Sequence, residues 1–351
     1  MIDAVDLFCG AGGLTAGLVR AGVTVRAGYD LEAQCQHAYQ QNDGATFIAE
    51  DVTNVTSNDL MQWYRPGRVR LLAGCAPCQP FSTYNQGKDT RDDRKWPLLY
   101  AFRRLISETS PHLVTMENVP DVTKHEVYHD FVSGLESNGY HIWANRVACV
   151  DYGLPQQRRR HVLLASRLGK ISLLPPTHAG TPVTVQQAIG HLPAVADGEC
   201  HPTDPLHRAA TLTPLNKRRI IYSRQGGTWK DWPPELVAAC HRKESGSTYA
   251  SVYGRMRLDQ PSPTMTTLCY GFGNGRFGHP VQDRAITLRE AAILQSFPPE
   301  YEFMPENEIT FKAVGRMIGN AVPVRLGEVI GQSLMSHVAE QVMLRGGILQ
   351  N

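Results

Sequence analysis

The sequence predicts an α/β protein: a doubly wound, mostly parallel sheet with a smaller, loop-rich second domain. Three observations carry the expectation. Short apolar runs alternate with helical patterns through about the first 170 residues, a glycine-rich turn follows the first of those runs, and beyond residue 170 prolines and glycines break the chain into short pieces.

Ala4-Val5-Asp6-Leu7-Phe8 reads as a buried strand that runs into Cys9-Gly10-Ala11-Gly12-Gly13, after which Leu14, Leu18 and Ala21 recur at helical spacing. A strand, a glycine turn and a helix in that order set backbone N–H groups at a helix start, which is the physical content of a nucleotide-binding turn. The run lacks the third glycine of the dinucleotide fingerprint, and such turns also occur with no ligand. Val23, Val25, Ala27 and Tyr29 alternate as a second strand ending at Asp30-Leu31-Glu32, where an acid is placed to hold a ribose hydroxyl. Phe47-Ile48 with Asp51-Val52 reads as a third short strand ending in another acid, suited to an adenine amino group.

Val69 to Ala73 is short and apolar enough to be a buried strand. Just past its end lies Gly74-Cys75-Ala76-Pro77-Cys78-Gln79-Pro80-Phe81-Ser82, on the sheet edge that carries function in such folds. Pro77 and Pro80 restrict the backbone around Cys78 and limit where its sulfur points, which suits a nucleophile. A free cysteine is more often a small buried hydrophobe. Cys75-X-X-Cys78 is also the spacing of a redox pair, so at this point all three readings stand.

Asn85 to Lys95 is polar and charged without an apolar period, and reads as a mobile loop able to act as a lid. Leu98, Leu99, Phe102, Leu105 and Ile106 then recur at helical spacing until Pro111 stops them. Leu113 to Met116 is a fifth strand, delivering Glu117-Asn118-Val119 to the same edge as Cys78; Glu117 is there either as a structural partner or as a tuned acid. Tyr140 to Ala148 and His161 to Ala165 form a strand pair. Between them Gln156-Gln157-Arg158-Arg159-Arg160 places Arg158 and Arg160 two apart on an extended segment, sharing one face and aimed at an anion or carbonyl, although three arginines in a row more often mark a solvated turn.

Past a boundary near 170, residues 201–260 carry ten basic side chains against five acidic ones, interleaved with Trp229, Trp232, Tyr249 and Tyr253. A solvated face explains that imbalance nearly as well as nucleic acid does. Leu288 to Phe297 is a helix ended by Pro298, and Gly319-Asn320-Ala321-Val322-Pro323 precedes an amphipathic helix whose apolar side, Leu326, Val329, Ile330, Leu334 and Val338, needs a partner surface.

The composition sets bounds. A chain of 351 residues, 42% hydrophobic and 19% charged, is long enough for two domains. No apolar run approaches a membrane span and no basic leader opens the chain, so a cytoplasmic location is expected, with no membrane partner. Eight scattered cysteines suit a reducing compartment, and the lack of a second ligand pair beside Cys75 and Cys78 argues against metal. A net charge of +2 does not by itself announce nucleic acid.

Taken together and in order, Asp6 to Gly13, Gly74 to Ser82, Glu117-Asn118-Val119, Gln156-X-Arg158-X-Arg160, Arg289 to Pro298 and Gly319 to Pro323 resemble the motifs of the cytosine carbon-5 DNA methyltransferases of bacterial type, across almost the whole chain. The resemblance implies methyl transfer from S-adenosylmethionine to carbon 5 of a flipped-out cytosine in duplex DNA, by way of a covalent adduct at carbon 6. Cys78 would be the nucleophile. Glu117 would assist at ring nitrogen 3, as a neutral carboxylic acid does best. Asn118 would help hold the base, Arg158 would reach the cytosine carbonyl and the thiolate region, and Gln156 and Arg160 would brace the site. For the cofactor, Phe8 would stack on the adenine, with Gly10, Gly12, Gly13 and Leu14 at the methionine end, Asp30 and Leu31 at the ribose, and Asp51 and Val52 at the adenine amino group. Leu98, Asn320 and Ala321 would close that pocket. The implied organisation is a catalytic and cofactor domain over 1–170, a target-recognition domain over 171–309 and a segment over 310–351 returning to the first. The implied setting is a monomer on nucleoid DNA, as a restriction-modification or orphan methylase whose endonuclease, if present, acts separately.

Two positions depart from the common pattern: the ribose acid is more often glutamate than Asp30, and Pro323-Val324 stands where the family usually has two prolines. The tRNA-methylating branch is the alternative. Its Cys-Phe-Thr tripeptide does not follow Val119, and residues 171–285 suit the major groove of duplex DNA. Within that segment Lys217, Arg218 and Arg219 are expected on phosphates, and Arg255, Arg257, Thr266 and Arg276 are first trials as base readers. A Cys-X-X-Cys oxidoreductase is the more distant alternative, since it leaves the acids and arginines on neighbouring strand ends unexplained.

Overall fold

The computed structural model describes residues 1–77, 96–246 and 248–344. Cys78 and the 85–95 loop therefore lie outside the described residues. The chain forms two compact units, Met1–Cys149 with Arg159–Pro176 and Val322–Asn351 in one, and Val150–Arg158 with Thr177–Ala321 in the other. Among the described residues no helix is long and apolar enough to cross a membrane.

The first unit is built on one sheet. Its strands are β1 (Ile2–Leu7), β2 (Thr24–Asp30), β3 (Thr46–Ala49), β4 (Val69–Gly74), β5 (Leu113–Asn118), β6 (His141–Ala148) and β7 (Arg159–Ser166), in the spatial order β3-β2-β1-β4-β5-β7-β6. The first five are parallel, and β7 runs antiparallel to both β5 and β6. β1 and β5 are buried at every position, as strands covered on both faces must be, and their apolar residues carry the sequence signal despite the buried Asp6 and Glu117 among them. Helices α1 (Gly13–Arg20), α2 (Gln36–Asp43), α3 (Ser57–Met61), α4 (Trp96–Thr109) and α5 (Glu126–Ser137) complete the layers. The strand order reverses between β1 and β4, so a crevice opens beyond their carboxyl ends, where ligands bind in open α/β sheets.

The amphipathic C-terminal helix, Val324–Leu344, finds its partner surface on α1. The approach is backbone to backbone: a Cβ at Gly17 would lie 2.4 Å from both Val324 O and Glu328 N, and one at Gly327 would lie 2.9 Å from Leu14 O.

The second unit has little regular structure: a small ribbon of β8 (Cys200–His201) and β9 (Asp204–Arg208), and helices α6 (Val185–Ile189), α7 (Pro214–Tyr222), α8 (Leu288–Leu294) and α9 (Phe311–Asn320). Its apolar cluster gathers Leu212, Ile220, Trp229, Trp232, Leu236, Phe272 and Ala285. Buried ionic groups hold the rest. Arg284 is fully buried and makes a two-pronged pair with Glu290 at 2.7 and 2.8 Å. Burial pushes the carboxyl of Glu290 up, and the Arg284 bonds outweigh it, leaving the group below its ordinary value.

The boundaries fall at 176 and 321, where 170 and 309 were expected, and a piece from the β6–β7 connection, Val150–Arg158, belongs to the second unit. The physical reasons lie in two close packings. Gly319 of α9 lies against the Thr266 backbone and Gly315 against Tyr270, so α9 stays with the second unit. Gln156 donates to Leu294 O at 3.0 Å and to Gln295 Oε1 at 2.7 Å and accepts from Met265 N at 2.9 Å, which fixes the 150–158 piece to α8 and its neighbours.

Gly17→Ala tests the helix contact. Alanine gains about 1 kcal/mol of helix propensity, but the clashing atoms are backbone and cannot swing aside, so a net loss of about 2 kcal/mol is expected. A melting temperature at or above that of the parent protein would contradict the packing described.

Candidate active site at the carboxyl ends of the sheet

The glycine turn beyond β1 is held by its neighbour β2. Phe8 takes a left-handed backbone (φ 58°), Gly10 and Gly12 follow at φ 50° and 86°, and Gly12 caps α1 without any side-chain hydrogen bond. That helix start is therefore left with backbone N–H groups as its polar equipment. Asp30, expected at the ribose, also fastens the turn: its Oδ2 accepts from Gly10 N at 2.8 Å and its Oδ1 from Glu32 N at 2.8 Å. The shorter aspartate suits this role, since it brings the carboxylate back onto the backbone.

Around this turn stand the other residues expected at a cofactor. Phe8 meets Phe102 edge to face, with ring centres 6.5 Å apart. Gly13 and Leu14 are buried in the first turn of α1, Leu31 is 73% exposed, Val52 is buried and Leu98 is half-buried on α4. Asp51 accepts from Thr53 N and Thr53 Oγ1 through Oδ1, while Oδ2 takes no hydrogen bond among the described residues. Asn320 and Ala321 belong to the second unit, where Ala321 O accepts from Gln295 and Arg158.

Beneath the turn lies a polar cluster that sequence reasoning passed over. Asp6 is fully buried; its Oδ2 accepts from Thr15 Oγ1 at 2.8 Å, and that hydroxyl lies 2.9 Å from Tyr39 Oη. Asp6 Oδ1 has no hydrogen-bond partner among the described residues. Burial pushes the Asp6 carboxyl up to about 7, against the opposing bond from Thr15, and Asp30 adds to the rise. The signal was available in principle, as an acid inside an otherwise apolar strand.

On the other side of the crevice the ends of β4, β5 and β7 converge. Gly74 pairs with Met116, so the next residues, Cys75 and Glu117, come level, and Cys75 Sγ donates to Glu117 Oε2 at 2.9 Å. Arg160 enters from β7, its Nε 2.7 Å from Glu117 Oε1. The N–H does not point along that line, for Oε1 has no aligned hydrogen bond among the described residues. Glu117 is thus a carboxylate only 3% exposed, held between a thiol and a guanidinium, with one oxygen keeping acceptor capacity. Asn118 donates to Ala76 O at 3.2 Å and accepts from Val119 N at 2.8 Å, tying the segment that leaves β4 to the end of β5.

The two arginines expected to share one face are engaged within different units. Arg160, expected as a brace, is the one on Glu117. Arg158, expected at the base, is buried in the second unit and donates to the carbonyls of Met265, Gly319 and Ala321 at 3.0, 3.3 and 3.3 Å. A run of arginines does not reveal which of them meets a buried carbonyl.

The recognition residues are corrected in the same way. Arg255 donates to the carbonyls of Ile220, Ser223, His279 and Gln282 and pairs with Asp283, so it is a core brace and no base reader. Arg219 is buried between Trp232 and Tyr253, 5.5 and 5.1 Å from their ring centres, and is removed from the phosphate set. Lys217 pairs with Asp197, Arg257 with Asp259, and Arg276 donates to Gly227 O, while Arg218 is exposed without an ion pair among the described residues.

A mostly parallel sheet with a glycine turn at its switch point and a buried acid beside it is the arrangement of a ligand-binding protein of the doubly wound class. The comparisons narrow the class. The family model for C-5 cytosine-specific DNA methylase matches residues 2–336. Type II methylase M.HgiDII of Herpetosiphon aurantiacus is 51% identical over 341 residues, covering 95% of each chain, and Type II methyltransferase M1.HphI of Haemophilus parahaemolyticus is 29% identical, covering 94% of this chain and 86% of that one. Among solved structures, a prophage-encoded E. coli protein described as a candidate DNA modification methyltransferase superposes with a TM-score of 0.74 at 22% identity, covering 97% of this chain and all of the other. The chain belongs to the C-5 cytosine-specific DNA methylase family.

Asp6 gives the site a measurable pH dependence. Unfolded, its carboxyl ionises near the ordinary 3.8; folded, near 7, so the folded protein holds an extra proton between those values and stability falls as pH rises through the interval. Asp6→Asn keeps an acceptor for Thr15 and removes the buried charge. The variant's melting temperature relative to the parent should therefore rise from about pH 5 to about pH 8 and level off beyond. A difference that does not vary with pH would refute the shift.

Proposed function

We propose that this protein methylates carbon 5 of a cytosine extruded from duplex DNA, with Cys78 adding to carbon 6, as the modification partner of a separately acting restriction endonuclease. The observation that carries the reading is the carboxylate of Glu117, buried at the end of β5 beside the exit from β4 and gripped by Cys75 and Arg160. The Type II names of the relatives support the restriction-modification setting. The protein acts as a monomer on nucleoid DNA in the cytoplasm.

The residues around the glycine turn fit S-adenosylmethionine. A Cβ at Gly10 would meet nothing within 4 Å, so there is room over the turn, Leu31 offers an exposed apolar face, and Asp51 Oδ2 retains acceptor capacity. Phe8, Gly10, Gly12, Gly13, Leu14, Asp30, Leu31, Asp51, Val52 and Leu98 would hold the cofactor. When bound it supplies an electrophilic methyl group.

Cytosine carbon 5 is a poor nucleophile inside an aromatic ring. Addition of the Cys78 thiolate to carbon 6 breaks the 5,6 double bond and pushes its electron pair toward ring nitrogen 3 and the carbonyl, making carbon 5 reactive. Glu117, carrying a proton, stabilises that charge by donating a hydrogen bond to nitrogen 3 as it develops. Arg160 holds the carboxylate in place, and Asn118 keeps the segment leaving β4 against β5. Once carbon 5 carries the methyl group it loses its proton, the sulfur leaves, and the double bond returns. Extrusion of the base is required because neither face of carbon 6 is reachable in the stack.

A duplex bearing 5-fluorocytosine at the target should trap the enzyme covalently, since fluorine cannot leave as a proton does. Cys78→Ser should abolish the adduct, and Glu117→Gln should slow methyl transfer by about 10²–10⁴. An adduct that survives Cys78→Ser, or one formed on tRNA in place of duplex DNA, would refute the reading.

Sequence choice resides in the second unit. Exchanging residues 177–321 for those of a family member with a different site should move the methylated positions seen by bisulfite sequencing, at about 1–3 kcal/mol of discrimination per base read. An active chimera that keeps the original sites would place specificity elsewhere.

A further inference from the structure

The chemistry proposed above has no task for Cys75, yet its thiol donates a hydrogen bond to the acid. The β4–β5 pairing brings it level with Glu117, its own N–H is anchored to Leu7 O at 3.2 Å, and its sulfur lies 2.9 Å from Oε2. Arg160 stands on the opposite oxygen. A carboxyl group rotates about its terminal bond, and one partner on each oxygen sets the plane in which the acid presents itself. Arg160 alone, misaligned on Oε1, leaves that rotation weakly defined. The thiol fixes it.

We infer that Cys75 is a positioning residue for Glu117, orienting the carboxyl group toward the ring of the substrate base through a thiol–carboxylate hydrogen bond. The inference rests on the reading of Glu117 as the group that assists at the base. Cys75 touches neither the substrate nor the methyl donor in this role. It also gives the cysteine a task outside the redox reading, as its thiol is engaged as a hydrogen-bond donor to the acid.

The test compares Cys75→Ala, which removes the donor, with Cys75→Ser, which keeps one. In single-turnover methylation of duplex DNA by the full chain, the alanine variant should lose about tenfold in rate with unchanged Kd for DNA and for S-adenosylmethionine, and the serine variant should stay within about twofold of the parent. Equal rates for all three proteins, or an equal loss in both variants, would overturn the assignment. A readout free of activity separates this outcome from failure of the functional reading. Alkylation of Cys75 followed by mass spectrometry should be slow in the parent and about tenfold faster in Glu117→Gln, where the adjacent charge is gone. If the parent methylates no duplex, the functional reading fails, while the alkylation ratio still decides whether the thiol and the acid are joined. Unchanged alkylation in Glu117→Gln would overturn the contact itself.

Discussion

Burying a carboxylate at the end of a parallel strand is the constraint on which the site depends. Glu117 leaves water almost completely, and an unpaired charge in that position would cost several kcal/mol. Compensation comes from three strands at once: Cys75 follows β4, Glu117 ends β5 and Arg160 begins β7. The acid is therefore only as well placed as the registry of the sheet, and the antiparallel entry of β7 matters because it delivers a guanidinium from the start of a strand to the end of another. Asn118 uses the same geometry to hold the backbone that leads out of β4.

The glycine turn is governed by a related balance. Two carboxylates stand near it, one exposed enough to accept two backbone N–H bonds and one fully buried with a single donor. Asp30 spreads its charge over Gly10 and Glu32, and so stabilises a turn whose left-handed Phe8 would otherwise be strained. Asp6 has no such relief on Oδ1. The difference between these neighbours follows from where each sits on its strand, inside β1 or at the last position of β2.

Much of the first unit was legible because strands buried on both faces write themselves as largely apolar runs: β1, β4 and β5 all stand where the sequence implied, and Asp30 and Glu117 stand at the ends of β2 and β5 as read. α2, reading Gln-His-Ala-Tyr-Gln-Gln-Asn-Asp, has no such signature, because only Ala38 and Tyr39 face the core. The second unit was legible in texture and not in detail. Its arginines looked like a groove-reading surface, yet Arg219, Arg255 and Arg284 are buried inside the unit, where their guanidinium groups donate to backbone carbonyls. Local charge counts do not carry burial. Nor could spacing alone separate Cys75 from a redox partner, since its role depends on a neighbour forty-two residues away.

The contact of α1 with the C-terminal helix has a consequence for biogenesis. The glycine faces that meet there are separated by most of the chain, Gly17 against Val324 and Glu328, so the sheet and its first helices leave the ribosome long before the surface that covers α1 exists. Until then the nascent protein holds an uncovered apolar helix face beside an unfinished parallel sheet, whose outer strands β6 and β7 are themselves divided by a piece of the other unit. Closure of such distant pairs is slow, and the waiting state is the one exposed to aggregation. A cell making this enzyme therefore relies on its last helix to complete a structure begun with its first strand.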